Sequence, residues 1–351
     1  MNQARLREIL EAIRESRVLV IGDLFLDKYL LIDAALSETS LETGLEAHQV
    51  VLKRLLPGAA GTVAKDLSLL GSKPSIMTII GSDGEGHEVV EELAKLGISC
   101  EYVFTDSSRT TPTYVKPLLK EKDRVRELNR LDMKNRSRTP LELEERICAS
   151  LSDAVQEADG IAICDQVVEE DCGVLTGRVR SLLETLAARH PDKVFMADSR
   201  RRIKEFRGVI CKPNHYELAA AVGESEAANS NLATIRRQCK KLKAMTGEPV
   251  FATAGAQGIV ILPSGEEIIE VPAIPVQPPI DIVGAGDSVL SALVAALSVG
   301  IEVLEAAQFA MIVASLIVEQ VGTTGSPTPP RVIRHFQRID HTMSRPAASE
   351  A

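Results

Sequence analysis

Apolar residues recur along this chain in two rhythms. Leu6, Leu10 and Ile13 fall at helical spacing in an otherwise polar segment, which predicts an amphipathic helix over 3–15. Residues 17–21 then form a short apolar run stopped by Gly22, the pattern of a buried strand. Further on come a helix over about 60–70 closed by Gly71, a strand over 75–80 and a helix over 87–96. From 141 the rhythms alternate: helix 141–157, strand 160–164, helix 172–189, strand 193–197. Additional strand candidates lie at 209–211, 250–253, 258–262 and 268–271, and two apolar helices follow at 289–297 and 303–319. This alternation predicts a doubly wound, mainly parallel sheet with helices on both faces.

Two stretches break the pattern. Residues 31–56 are mixed in polarity, and 100–131 alternates in the manner of a half-exposed antiparallel sheet. They predict a small β lid over 31–57 and 99–134, set on an α/β core made of 1–30, 58–98 and 135–330. Three more prolines follow Pro327, and 331–351 is expected to be a partly disordered tail. An exposed lid edge invites pairing with a second copy, so a homodimer through the lid is expected.

Composition narrows the function classes. The 351 residues carry a net charge of −9, which argues against a nucleic-acid binder. No run of about 18 apolar residues is present, and the N-terminus lacks the apolar core of a signal peptide, so no membrane span is expected. Six cysteines lie far apart without a Cys-x-x-Cys pair, which suits neither zinc nor a disulfide framework and fits a cytoplasmic protein. Against the acidic whole, residues 116–138 hold nine Lys/Arg and four Asp/Glu, and Arg200, Arg201, Arg202 and Lys204 form a second basic cluster. Most of the first cluster reads as a solubilising lid surface; the second sits at a strand end, where arginines can hold a phosphate.

The stretch with the most chemistry begins at Asp281. Gly284, Ala285 and Gly286 enter the apolar helix with almost no side chain, leaving its first N–H groups open to an anion. Asp287 lies in the first turn, where it is either a cap or a base beside an anion cradle. Gly22 leads into Asp23 and Asp27 at the C-terminal end of the first strand, where open parallel sheets bind ligands. A dinucleotide fingerprint is excluded, because Gly84-x-Gly86 is followed by Val89 where a third glycine is required.

In order, these loops resemble the PfkB or ribokinase-like carbohydrate kinases. The resemblance runs from Val18 to about Pro327. It rests on Gly22-x-x-x-x-Asp27, Pro57-Gly58, Gly81-x-Asp83-x-x-Gly86, Asn214-x-x-Glu217, Thr253-x-Gly255-x-x-Gly258 and Asp281-x-x-Gly284-Ala285-Gly286-Asp287. Asn129-Arg130-Leu131-Asp132 and Phe206-Arg207-Gly208 make the chain most similar to the heptose 7-phosphate kinases. The resemblance implies a ribokinase-like three-layer α/β/α fold with a β lid, and a kinase using ATP and Mg²⁺ on a sugar or sugar phosphate. Asp287 would be the base, with Gly284, Ala285 and Gly286 as the anion hole. Asn214 and Glu217 would arrange the phosphates and Mg²⁺, the latter through water, and Thr253, Gly255 and Gly258 would form the nucleotide loop. Asp27, Gly58, Ala59, Thr62 and Asp165 would face the sugar. A monovalent cation such as K⁺ would sit among Asp281, Val283, Gly322 and Ser326.

Several positions depart from the family pattern. Ile282 replaces a usual threonine, Ala59 a glycine, Thr62 an asparagine, and Met311 an asparagine near the adenine. Asp165-Gln166-Val167-Val168-Glu169 lacks the Tyr and Lys of the heptose kinases. The phosphate-handling motifs are therefore kept while the acceptor side has drifted. A kinase of a nucleoside or other small alcohol, and a kinase-fold regulatory protein, are the competing readings.

Overall fold

A computed structural model describes residues 1–122, 124–224, 231–265, 267–322 and 325–343. Helix α1 (Gln3–Ile13) is capped by the Asn2 side chain, which accepts from the Arg5 amide, and buries Leu6, Ile9, Leu10 and Ile13. It leads into β1 (Arg17–Gly22), whose residues after Arg17 are all buried. The chain turns directly into β2 (Leu24–Asp33), then a two-stranded ribbon of β3 (Glu38–Thr39) and β4 (Glu46–Ala47), then β5 (Val50–Ala59). Helix α2 (Ala60–Leu70) ends at Gly71, whose φ of +103° suits glycine as a cap. β6 (Lys73–Gly81), α3 (Gly84–Lys95) and β7 (Ser99–Asp106) return to the core. β8 (Thr113–Glu121), β9 (Arg124–Glu127) and β10 (Leu131–Met133) leave it again.

The second half alternates α4 (Leu141–Glu157), β11 (Gly160–Asp165), α5 (Gly177–Arg189) and β12 (Val194–Ser199), as the periodicity predicts. β13 (Ile210–Cys211), α6 (His215–Ala221), α7 (Leu232–Thr246) and β14 (Val250–Thr253) follow. Then come β15 (Ile259–Leu262), β16 (Ile269–Val271), α8 (Ala285–Ser298), α9 (Val303–Val318) and α10 (Pro329–Met343).

Nine strands form the main sheet in the order β16-β15-β14-β13-β12-β11-β1-β6-β7. All neighbours from β14 to β7 are parallel; β15 and β16 close one edge antiparallel. One face is covered by α1, α2, α3, α8, α9 and α10, the other by α4, α5, α6 and α7, which gives three layers and two apolar cores. Residues Ser288–Ala296 of α8 are all buried, which explains why its sequence is apolar all round. β2, β5, β8 and β10 build the separate lid sheet, with β9 on β8.

Two expected boundaries move. Residues 99–106 are not lid: β7 pairs with β6 at the edge of the main sheet. In the other direction, the lid begins at Leu24 rather than 31, and β5 stays in it to Ala59. The end of the chain also differs from a frayed tail. Within α10, Val332 and Phe336 are buried with α9, and His335 Nε2 lies 2.7 Å from Ser315 Oγ. Residues 344–351 lie outside the described residues.

If α10 is part of the core, Phe336→Ala removes a buried ring and should cost about 3 kcal/mol of stability. Urea unfolding reads this directly; an unchanged midpoint would mean that the helix is not docked in solution.

Candidate active site

The strand order reverses at β1, because β6 and β7 lie on one side of it and β11 onward on the other. At such a switch point the loops at the strand C-termini part and leave a crevice. Here the lid roofs that crevice, enclosing a cavity of about 850 Å³. Its wall brings together Asp287, Gly284, Val283, Asn214, Glu217, Asp27, Gly58, Ala59 and Thr62, residues from four separate stretches of chain.

Asp287 occupies the first turn of α8. Gly284 precedes the helix with φ +80° and no side chain caps it. The Ala285 amide closes a turn on the Ile282 carbonyl at 3.2 Å, so the first-turn donors open to an anion are those of Gly286 and Asp287 rather than Ala285. A Cβ added at Gly286 would meet nothing within 4 Å, so its side faces open space. Burial pushes the Asp287 carboxyl up to about 7; nearby Asp198 adds to the rise, and Lys212 opposes it. Its remaining exposure is partial, and it lines the cavity.

Asn214 and Glu217 form a reciprocal cap at the start of α6. The Asn214 side-chain oxygen accepts from the amides of Tyr216 and Glu217, both at 2.9 Å, while Glu217 Oε2 accepts from the Asn214 amide at 2.9 Å. Burial, reinforced by Asp198, raises Glu217 to about 7. Lys212 and Asp198 make a buried ion pair of 2.7 Å just behind. Burial is the main cause at both carboxyls, with Asp198 adding to it and Lys212 and Arg200 opposing, and a divalent cation would suit this crowded acidic corner. No group of three or more His, Cys, Asp or Glu is set to hold a metal directly among the described residues. Mg²⁺ would therefore be held largely by waters and phosphates, as this ion prefers.

Thr253, Gly255 and Gly258 stand next to the cavity without lining it. The Thr253 amide donates to the Pro213 carbonyl at 3.0 Å and its strand bridges to Asn214. Gly258 has φ +100°, and a Cβ there would come 2.1 Å from the Val271 carbonyl oxygen, so its glycine is required by the β14–β16 turn.

On the acceptor side, Asp27 pairs with Lys116 at 2.8 Å. Gly58 lies opposite, where a Cβ would sit 3.2 Å from Asp27 Oδ2. The Thr62 hydroxyl donates to the Pro57 carbonyl at 3.1 Å. Ala59 adopts φ +53° and ψ −117°, a conformation natural to glycine and strained for alanine.

Asp165 is not on the cavity wall. It is buried, accepting from Ser199 Oγ at 2.6 Å and from Arg202 Nη1 at 3.1 Å; burial raises it to about 6. The expected sugar contact at Asp165 is thereby corrected to a structural role. Its partner Arg202 also donates to the carbonyls of Val167, Val168 and Glu169 at 2.8–3.0 Å. From the other side, the Asp23 carboxylate accepts the amides of Gln166, Val167 and Val174 at 2.8–2.9 Å. Arg109 donates to the Cys172 carbonyl. Three buried charged side chains thus hold loop 166–174, which forms one cavity wall.

The basic clusters divide. Lys116, Arg130 and Lys134 of the lid and Arg200 and Arg201 of the core all line the cavity, more of the lid than its polarity predicts. Arg130 lies 4.4 Å over the Tyr114 ring and pairs with Asp132. Tyr216 also lines the cavity and is half exposed. Lys212 and Asp198 carry no signal in the sequence pattern, although Lys212 directly precedes Pro213-Asn214, and Arg202, expected with its neighbours to hold a phosphate, is instead committed to Asp165 and the loop carbonyls; nothing in spacing alone marks a charge for burial.

For the proposed monovalent site, Asp281 Oδ1 accepts the Val283 amide and Oδ2 the Gly322 amide, both at 3.0 Å. Asp281, Val283 and Gly322 therefore do meet. Ser326 uses its carbonyl on the Thr328 amide at 3.0 Å.

A model of the pfkB family of carbohydrate kinases matches residues 17–330, and the chain belongs to that family. It is a sugar kinase in class, a phosphotransferase with an alcohol acceptor. It is 28% identical over 328 residues to the Bifunctional protein HldE of Pelobacter propionicus, covering 92% of this chain and 64% of that protein. To the protein of the same name from Desulfatibacillum aliphaticivorans it is 30% identical over 314 residues, covering 88% and 60%. The chain thus spans less than two thirds of the length of these relatives. The fold is ribokinase-like. Arabidopsis thaliana ribokinase, complexed with ribose and ATP, superposes with a TM-score of 0.68 at 19% identity, covering 92% of this chain and 99% of that one. The tetrameric inhibited form of Escherichia coli phosphofructokinase-2 gives 0.68 at 16% identity, covering 93% and 99%.

Replacing the strained residue, Ala59→Gly, should raise stability by about 1 kcal/mol, the strain relieved less the added chain entropy. Thermal unfolding checks it; a lower melting temperature would mean that this backbone relaxes in solution.

Proposed function

We propose that the protein is an ATP-dependent kinase that transfers the γ-phosphoryl group to a hydroxyl of a sugar or sugar phosphate, with a heptose phosphate as the nearest chemistry. The observation that carries this is Asp287, a carboxyl raised to about 7 beside uncapped helix amides at one end of a roofed cavity. In this reading Asp287 accepts the proton of the acceptor hydroxyl. The hydroxyl oxygen bonds to the γ-phosphorus, the bond to the β-phosphate oxygen breaks, and ADP leaves. Mg²⁺ and ATP, when bound, supply the phosphoryl group and neutralise its charge. The amides of Gly286 and Asp287 receive the phosphoryl oxygens, and Glu217 with Asn214 orients the waters around the metal.

Asp27, steadied by Lys116, would accept a hydroxyl of the sugar, with Gly58 allowing close approach. Arg200, Arg201, Arg130 and Lys134 give the cavity a cationic side that suits a phosphate already on the acceptor. A second acceptor class, a nucleoside or other small alcohol, is favoured by one feature: the Thr62 hydroxyl is committed to Pro57 and offers no amide fork to a polyol. The reading also includes a homodimer through the lid, supported by the exposed apolar Val50, Val51 and Leu52 on its edge strand β5. No described helix is long and apolar enough to cross a membrane.

The test is ADP release against a panel of sugars, sugar phosphates and nucleosides, followed by Asp287→Asn. Turnover should fall by ~10²–10⁴ while ATP affinity stays within a few-fold. A variant that loses ATP binding or unfolds would reduce Asp287 to a structural cap.

The pH dependence has a defined sign. A carboxyl raised to about 7 is protonated below that pH and cannot accept a proton, so kcat/KM should decline tenfold per pH unit as pH falls below about 7. A rate that stays flat to pH 5 would place the base elsewhere.

A further inference from the structure

The loop that the family resemblance assigns to K⁺ already holds positive charge of its own. K⁺ is bound where several carbonyl oxygens replace its water shell. In this chain two carbonyls of that loop are taken by charged side chains from different directions. Arg54, on lid strand β5, donates Nη2–H to the Gly322 carbonyl at 2.8 Å. Lys65, on α2 and 6% exposed, donates from Nζ to the Gly325 carbonyl at 2.8 Å. Both oxygens of Asp281, the one carboxylate assigned to the ion, are already accepting backbone amides, which tie the 281–283 turn to Gly322. A free cation entering among these groups would meet two fixed like charges and a donor set already in use. The residues present do not fit a monovalent ion.

Lys65 is not an incidental surface lysine. Its ammonium lies 3.3 Å from Asp66 Oδ1, and the Asp66 side chain is fully buried. Helix α2, which carries both, packs on α8, where Ser291 Oγ donates to the Val63 carbonyl at 3.2 Å. The positive charge is therefore anchored to the helix that bears Asp287, on the side of the phosphate-handling turn.

We propose that Lys65 and Arg54 take the place of the monovalent cation, so that the protein neither binds nor requires K⁺. They do what an ion at this position would do: hold the Gly322 and Gly325 carbonyls and keep a positive charge near the 281–284 turn. Being part of the chain, they do so at any salt composition.

The test is titration with Tl⁺, a K⁺ surrogate read by thallium NMR, on the parent protein and on Lys65→Met. The parent should show no saturable, K⁺-displaceable binding. Lys65→Met, which keeps the stem and removes the charge, should acquire it, at least about ten-fold tighter than any parent signal. Saturable binding to the parent, or no gain in the variant, would each overturn the proposal. Should Lys65→Met fail to fold, Arg54→Ala on the exposed side carries the same readout. A second arm uses turnover: rates in K⁺, Na⁺ and tetramethylammonium chloride at matched ionic strength should agree within about two-fold, below the roughly five-fold or larger change typical of a coupled ligand. K⁺ activation beyond that would overturn the proposal. Absent turnover in all three salts would count against the kinase reading instead, with the Tl⁺ titration still deciding this one.

Discussion

Asp23 is where the parts of this molecule are joined. Its amide donates to the Cys164 carbonyl at the end of β11, and its own carbonyl accepts the Ala60 amide at the start of α2. Its carboxylate takes three amides of the 166–174 loop. Burial works against the charge and raises its pKa, and the three backbone donors pull the other way. Close packing enforces the arrangement: a Cβ on Gly173 would come within 2.4 Å of Asp23 Oδ1. One residue thus ties the crossing from β1 to the lid, through its backbone, to the 166–174 wall of the cavity, through its side chain. Removing its charge would leave several buried amides without partners at once.

The base of the site follows from a different constraint. Asp198, Glu217 and Asp287 are crowded near one another, with buried Lys212 as their nearest counterion. Burial disfavours the lysine's charge, but Asp198 beside it prevails and its pKa is raised. The arrangement costs stability in the empty protein, because carboxyls held near 7 are unfavourably placed when ionised. The cost is consistent with a site built to receive Mg²⁺ and polyphosphate charges together.

Much of this was legible from sequence. Buried parallel strands are short apolar runs, and β11, β12 and β14 announced themselves within a residue or two. The open start of α8 was legible too, because only small residues leave helix amides open, and that start does lie on the cavity wall without a side-chain cap. What could not be read was which charges turn inward. Arg200, Arg201 and Arg202 are adjacent and identical, yet two line the cavity while the third is buried against Asp165 and three carbonyls. That choice is made by loop 166–174, whose path depends on Asp23 more than 140 positions away. Similarly β7 looks like lid by its polarity, because an edge strand of a core sheet is also half exposed.

The lid strands β2 and β5 reach the core at Leu24 and Ala59, beside Asp27, Gly58 and Thr62, which line the cavity. The join between lid and core and the cavity wall are thus one piece of chain. An exchange such as glycine to alanine at 59 alters the cavity wall and the backbone freedom of that join together. Cavity wall and lid attachment are therefore not free to change separately, because the same few residues form both.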